Sequence, residues 1–337
     1  MSFLDDDDPC KVLLIGDQGQ GKTGAKAALI AAGYKLRMVD ADRGARILRS
    51  LLTDPRYPYM EYMKKTGVDP REPGRISVVP IDVDFDMITT YKKDSQGKMH
   101  SQDIFAPTNS KAWTQVVKLL KKWVDPDGTD HGSIYDWGPD TILDFDTMST
   151  LAEIAKYWCQ DLNGHLGAIV DEHGRDTGGA QEMIMRLMST ITNSKVACNV
   201  IVTAHIKRVD MSNDVPQSAE QRLREKKSLE LKGFPMVIGQ AVSPYIGKKF
   251  NDQFIVERVG NGKNAERKIH SVPVSNTDTK NSAFVEPEYS LESGLAEIFA
   301  ALRQQPYPED LVKAIRPTQR RRESSDSEPA PKKAFGA

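Results

Sequence analysis

The chain has 337 residues, 39% hydrophobic and 28% charged, with a formal net charge of −1. That length is enough for a full core, so one large domain with appendages is expected, and the near-neutral charge leaves nucleic-acid binding to a local site at most. The three cysteines, Cys10, Cys159 and Cys198, form no C-x-x-C and cannot all pair, which reads as reduced thiols in a cytoplasmic protein.

Residues 1–10 form an acidic extension whose Asp5 to Asp8 run stands where a signal peptide needs basic and then apolar residues. No apolar run approaches the roughly 18 residues of a membrane span, so a soluble protein with no membrane partner is expected. Lys11 to Ile15 reads as a short buried strand, and it leads into Gly16-Asp17-Gln18-Gly19-Gln20-Gly21-Lys22-Thr23, then Gly24. This is the phosphate-loop pattern G-x-x-x-x-G-K-[ST] without a mismatch. The glycines let the backbone turn tightly and aim successive N–H groups at phosphate oxygens, and the helix expected from Lys22 adds the positive end of its dipole. Lys22 is placed for the β- and γ-phosphates of a nucleotide and the Thr23 hydroxyl for Mg2+, so ATP and Mg2+ are the expected cofactors.

Further along, Leu36–Asp40 and Arg75–Ile81 read as strands, with a helix near 44–52 between them. Tyr91–Ser110 is polar and broken by Gly and Pro, which suggests an inserted loop or hairpin. A helix over 112–124 is expected to bury Trp113, Val116, Val117, Leu120 and Val124. Then come strand 141–146, a helix from about Ser149 to Leu162, a Met-rich helix from about Gly178 to Ile191, and strand 199–204. Strands alternating with helices predict an α/β fold with a mainly parallel sheet flanked by helices. Residues 254–259 and 267–272 around a Gly260–Lys263 turn predict a β-hairpin near the C-terminal side. The core domain is expected over 11–300, followed by a segment 301–337 whose end from Arg316 is a polar tail.

Hydrolysis requires acids beyond the loop. Asp144 and Asp146 lie on one side of their strand and both qualify for the Mg2+ shell, with the terminal position favouring Asp146. Asp40 and Asp42 end a neighbouring strand, and Asp42, further over the edge, is favoured to position water. His205 closes strand 199–204, where an imidazole can meet a γ-phosphate or the attacking water. Asp171 to Asp176 is a polar cluster without specific metal-ligand spacing.

The order of phosphate loop, Met38-Val-Asp40-Ala-Asp42, Ile142-Leu-Asp-Phe-Asp146 and Val200-Ile-Val-Thr-Ala-His205 resembles the RecA-type recombinase ATPase core. Within that superfamily the chain is similar, from about Lys11 to Lys280, to compact RecA-like ATPases of bacteriophages that act in single-strand annealing recombination. The resemblance implies Lys22, Asp42, Asp146 and His205 as catalytic residues and Thr23 with Asp146 at the metal. Asp42 would stand for a catalytic glutamate one methylene longer, and His205 for a glutamine that senses the γ-phosphate. Two loops would contact single-stranded DNA: Gly164–Gly179, with Arg175, and Lys207–Lys232, with Lys207, Arg208, Arg222, Arg224, Lys226 and Lys227. The latter holds seven cations against five acids, a slight basic excess. Lys248, Lys249 and Arg258 would reach into a neighbour's ATP site in a homo-oligomeric ring or filament. A single-strand-binding or other recombination protein would be a further partner, and the compartment the cytoplasm, that of the host for a phage protein. The alternatives are a nucleotide-gated scaffold and a helicase or helicase-loader ATPase; a P-loop kinase would need an arginine-rich lid, and Arg43, Arg46 and Arg49 look instead like a solvated helix face.

Overall fold

Strands that are apolar on both faces form the centre of the molecule because helices cover them on both sides. The computed structural model describes residues 8–93, 96–108, 110–166, 174–210, 231–239, 241–260 and 265–315. The chain runs β1 (Lys11–Ile15), α1 (Lys22–Ala25), α2 (Ala27–Ala31), β2 (Lys35–Asp40), α3 (Arg46–Thr53), α4 (Pro58–Thr66) and β3 (Ile76–Pro80). It continues with β4 (Phe85–Lys93), β5 (Met99–Pro107), α5 (Lys111–Lys121), β6 (Thr141–Asp146), α6 (Met148–Leu162), α7 (Arg175–Ile191) and β7 (Asn199–Ala204). The remainder is β8 (Ile206–Asp210), β9 (Leu231–Pro235), β10 (Asp252–Val259), β11 (Glu266–His270), β12 (Glu288–Ser290) and α8 (Gly294–Leu302).

Eight strands form one sheet in the order β12-β11-β10-β1-β7-β6-β2-β3. The six from β10 to β3 are mutually parallel, and β11 and β12 add antiparallel pairs, so the α/β class with a mainly parallel sheet and a β10–β11 hairpin is what the chain adopts. The order places β7 between the phosphate-loop strand β1 and the acid-bearing strand β6.

Alternation along each strand sorts the side chains into two cores. Leu13 and Ile15 of β1 join Trp113, Val116, Leu151 and Ile184 of α5, α6 and α7 on one face. Val12 and Leu14 join Leu29, Leu48, Tyr59 and Phe299 of α2, α3, α4 and α8 on the other. In β6 this period puts Leu143 and Phe145 into the first core and Ile142 into the second. Asp144 and Asp146 therefore share the face that α1 and α2 cover.

Several expectations need correction. α4 escaped the sequence reading because Pro58 opens a short helix inside a stretch rich in Tyr and Met. In α5 the buried residues include Leu119, whereas Val117 is 37% exposed and Val124, beyond the helix, 36%; the helix turns its Trp113, Val116, Leu120 stripe inward and leaves Val117 at its border. α7 begins at Arg175, three residues before the expected start, from Gly174 in a left-handed conformation. The insertion is a two-stranded hairpin, Phe85 to Pro107, which begins before Tyr91. Residues 207–232 are not wholly loop, since β8 and β9 pair at its two ends. The chain from Arg316 onward lies outside the described residues, while Leu311 and Ile315 are buried in the second core and Val312 is buried beside them in sequence. Among the described residues no helix is long and apolar enough to cross a membrane, and all three cysteines are buried.

Phe145 is fully buried in the first core. Phe145→Ala should lower unfolding free energy by about 3–5 kcal/mol, read as a fall in denaturant midpoint with the slope unchanged.

Candidate nucleotide site

The loop after β1 takes its shape from two glycines. The N–H of Gly16 donates to the Ala204 carbonyl at 3.2 Å, and a Cβ on Gly16 would lie 2.5 Å from the Val256 carbonyl oxygen, so only glycine lets β10 approach. Gly21, at φ 101°, caps α1 in a left-handed conformation, and a Cβ there would meet Leu291 and the Arg267 stem. Lys22 folds back over the loop it belongs to. Its Nζ donates to the carbonyls of Gly16 at 2.7 Å and Asp17 at 3.0 Å. Burial pushes this ammonium down to about 8, against the raising pull of Asp146, Asp42 and Asp17.

Behind the loop stands a lysine that the motif does not include. Lys26 is fully buried, one helical turn after Lys22, and its Nζ lies 2.6 Å from Asp144 Oδ2 and 3.2 Å from Asp146 Oδ2. Its sequence signal was a lone cation inside the small apolar run Ala25–Ala31. Burial would lower the Lys26 ammonium, but Asp144 and Asp146 overcome it and hold the group charged. The two acids then divide their roles. Asp146 accepts from the hydroxyl of Thr23 and, at 2.5 Å, from that of Thr203. Burial opposes its ionisation, yet Lys26 and these hydroxyls hold its carboxyl below the usual range. Asp144 faces Lys26 alone, has a buried Oδ1 without a hydrogen-bond partner, and is pushed up to about 7 by burial that outweighs the lysine.

Asp40 and Asp42 separate as clearly. Asp40 accepts the N–H groups of Gly44 at 2.9 Å and Ala45 at 3.2 Å, which fastens the turn before α3. Asp42 lies over the edge and accepts hydroxyls from Thr147, at 3.1 Å, and Thr150. His205 links this acid to the loop lysine: Nδ1 is 3.3 Å from Lys22 Nζ and Nε2 is 3.5 Å from Asp42 Oδ2. An ammonium donates and a carboxylate accepts, so the neighbours favour the tautomer with its proton on Nε2. Lys22, His205 and Asp42 thus form one line across the sheet edge.

The backbone of His205 is held too. Its N–H donates to Ser149 Oγ at 3.1 Å and its carbonyl accepts the Met236 N–H at 2.7 Å, which ties the end of β7 to α6 and to the exit of β9. The three described cations of the second candidate DNA loop have protein partners, Lys232 pairing with Asp278 at 2.7 Å. Lys207 donates to the Gly239 carbonyl at 2.9 Å, and Arg208 grips Asp17 of the phosphate loop with two bonds at 3.1 and 2.9 Å. Arg222, Arg224, Lys226 and Lys227 lie outside the described residues, as do residues 167–173 of the other loop, while Arg175 opens α7. Lys248 and Lys249 precede β10, at the sheet edge opposite the phosphate loop, with Lys248 over the Tyr245 ring. Arg258 is near the loop edge of β10, opposite Arg267 of β11. Arg267, beside Gly21, was missed because it sits in an ordinary hairpin pattern.

These residues fit ATP with Mg2+. Thr23 and Asp146 already share a corner, and the residue facing it is Gly44, where a Cβ would come within 3.1 Å of Thr23 Oγ1 and 3.5 Å of Asp146 Oδ2. A side chain there would fill the space beside the two metal candidates. Among the described residues no group of three or more His, Cys, Asp and Glu forms a separate metal centre, and residues 171–173 of the Asp171–Asp176 cluster lie outside them.

The sheet and its loop define the chain as an α/β protein with a candidate nucleotide site at a phosphate-loop motif. No known family's sequence model matches the chain, and no curated protein matches it in sequence. Among solved structures, a KaiC-like protein of the archaeon Pyrococcus horikoshii is similar at 12% identity over 84% of this chain and 85% of that one, with a TM-score of 0.36. The flagellar accessory protein FlaH of Methanocaldococcus jannaschii is similar at 8% identity over 78% of each chain, with a TM-score of 0.30. Both scores are below 0.5, and the site's chemistry is carried by its own residues.

A buried carboxyl raised to about 7 binds its proton more tightly in the folded than in the unfolded state. Stability that Asp144 contributes is therefore present below pH 4 and lost as pH rises toward 7, by up to about 1.4 kcal/mol per pH unit. Unfolding free energies of the wild type and Asp144→Asn, measured from pH 4 to 8, should diverge in favour of the variant as pH rises.

Proposed function

We propose that the chain is a RecA-like P-loop ATPase that hydrolyses ATP with Mg2+, works as a homo-oligomer and grips single-stranded DNA in annealing-type recombination. The observation that carries the reading is the line Lys22, His205, Asp42 beside the Thr23 and Asp146 corner. The strand β7, inserted between the strands of loop and acid, delivers His205 to that line.

ATP with Mg2+ supplies the electrophilic phosphorus and the charge neutralisation of its leaving group. Lys22, protonated at neutral pH, exchanges the carbonyls of Gly16 and Asp17 for phosphate oxygens. Thr23 and Asp146 would hold the metal, with Lys26 fixing Asp146 from behind. Asp42, oriented by Thr147 and Thr150, accepts a proton from the attacking water. Movement of Lys22 leaves Nδ1 of His205 without its ammonium neighbour, so the imidazole responds to nucleotide. Because His205 immediately precedes β8, its displacement is passed to the β8–β9 stem; Arg222, Arg224, Lys226 and Lys227, between the two strands in sequence, are the proposed DNA contacts, with Arg175 on the other loop. A DNA role for Arg208 requires it to leave Asp17, and one for Lys207 to leave Gly239. Of the cations proposed to act on a neighbour's site, Arg258 is supported by its place at the loop edge; Lys248 and Lys249 would serve from the opposite edge. A second reading, a nucleotide-gated scaffold that hydrolyses little, is favoured by the two threonine hydroxyls that occupy Asp42.

Steady-state ATP hydrolysis with and without single-stranded DNA separates the two. Turnover should rise with DNA, vanish in Lys22→Ala, and fall roughly 10²–10⁴-fold in Asp42→Asn with nucleotide affinity retained. Undiminished nucleotide binding with turnover indifferent to DNA and to Asp42→Asn would establish the scaffold instead.

A further inference from the structure

The β4–β5 hairpin is a sheet of two strands only, and such a ribbon is marginal in water unless something covers a face. Its register places Phe85, Met87 and Tyr91 on the same face as Met99 and Phe105, with Met87 directly opposite Phe105. These five are 53, 62, 68, 51 and 78% exposed. Phe85 touches Tyr157 of α6 edge-on, and the others form an apolar face that stands clear of the core. Asp103 lies on the same face, held by the Thr89 hydroxyl at 2.8 Å. Contiguous exposed apolar surface of this kind marks an interaction site.

The same chain carries a complementary surface. Trp113, Val117, Leu120, Met183 and Leu187 line an apolar cavity of about 340 Å³ between α5 and α7, and Lys121 and Arg186 stand at its rim. An adjoining groove adds Lys195 and Lys249. Arg186 also holds Glu182, at 2.7 Å on the exposed helix face. The ribbon is apolar with an acid, and the cavity is apolar with Lys121 and Arg186, the latter shared with Glu182. The ribbon follows the end of β3, at the phosphate-loop edge. The cavity adjoins the last turns of α5 and α7, which lead to the starts of β6 and β7 at the other edge.

The geometry points to a head-to-tail contact between two copies of this chain, in which the Phe105 face of one ribbon seats in the α5–α7 cavity of the next, with Asp103 meeting Arg186. Surfaces that differ on the two partners make a heterologous interface, which grows into a ring or an open filament. The inference rests on the oligomer in the proposed function, but assembly does not depend on hydrolysis, so loss of assembly is read apart from loss of nucleotide chemistry.

Full-length protein is tested by sedimentation velocity over a range of concentrations, with Phe105→Asp on the ribbon and Val117→Arg at the cavity border, both exposed sites. Wild type should assemble. Each variant alone should be monomeric, with unchanged thermal melting, and a 1:1 mixture should form a heterodimer that grows no further, because each variant keeps one intact surface. The pair Asp103→Arg with Arg186→Asp in one chain should assemble when either alone is weakened at least tenfold. Wild type that stays monomeric at about 100 μM, or Val117→Arg that assembles like wild type while Phe105→Asp does not, overturns the proposal; the latter would mean that two ribbons pair with each other.

Discussion

The ammonium of Lys26, buried between Asp144 and Asp146, is the constraint on which the rest of the site depends. An uncompensated charge in this interior would cost several kcal/mol, and removing the lysine would leave two carboxylates in the same low-dielectric space. With it in place, the first helix after the phosphate loop cannot slide over β6, because a carboxylate pair fixes one point of contact. The Thr23 hydroxyl and the Thr203 hydroxyl then approach Asp146 from two directions and set the orientation of the acid. Helix, acid strand and intervening strand are thereby registered to one another by charge and hydrogen bonds, where an apolar contact would register them only by shape.

From that fixed corner the edge of the sheet spreads into two ribbons with different anchorage. β8 and β9 leave from His205 and are clamped to the phosphate loop through Arg208 and Asp17. β4 and β5 leave from the end of β3, where Arg43 pairs with Asp82, and touch α6 near their base through Phe85. One ribbon is tied to nucleotide chemistry by charge, and the other shows surroundings an apolar face. As proposed, the first responds to the site and the second meets another copy of the chain.

What was legible in the sequence was whatever depended on local pattern. The loop glycines, Lys22 and Thr23 follow a fixed spacing, and the buried strands β1, β6 and β7 are short apolar runs between turn signals. Asp146 and Asp42 were found by their place at strand ends, which topology then brought to one edge. Lys26 and Gly44 were not legible as site residues, because their importance is set by contacts with Asp144, Asp146 and Thr23, which come from other parts of the chain. The β4–β5 strands were obscured by their largely exposed, mixed composition, which shows no clear hydrophobic period. In α5 the error at Val117 and Leu119 arose because a helical stripe fixes only the centre of the buried face, and packing decides its borders.

The approach of Val256 to Gly16 has a consequence for how the motif tolerates change. The phosphate loop is pressed from outside by a strand more than two hundred positions later, which contains none of its signature residues. The curvature of the loop is therefore partly inherited from β10, and drift in that hairpin is transmitted to the loop as a change of shape without any alteration of the signature itself. Two chains with identical loop sequences would differ in how they hold a phosphate if their tenth strands sat half an ångström apart, so the determinants of this site extend well beyond its motif.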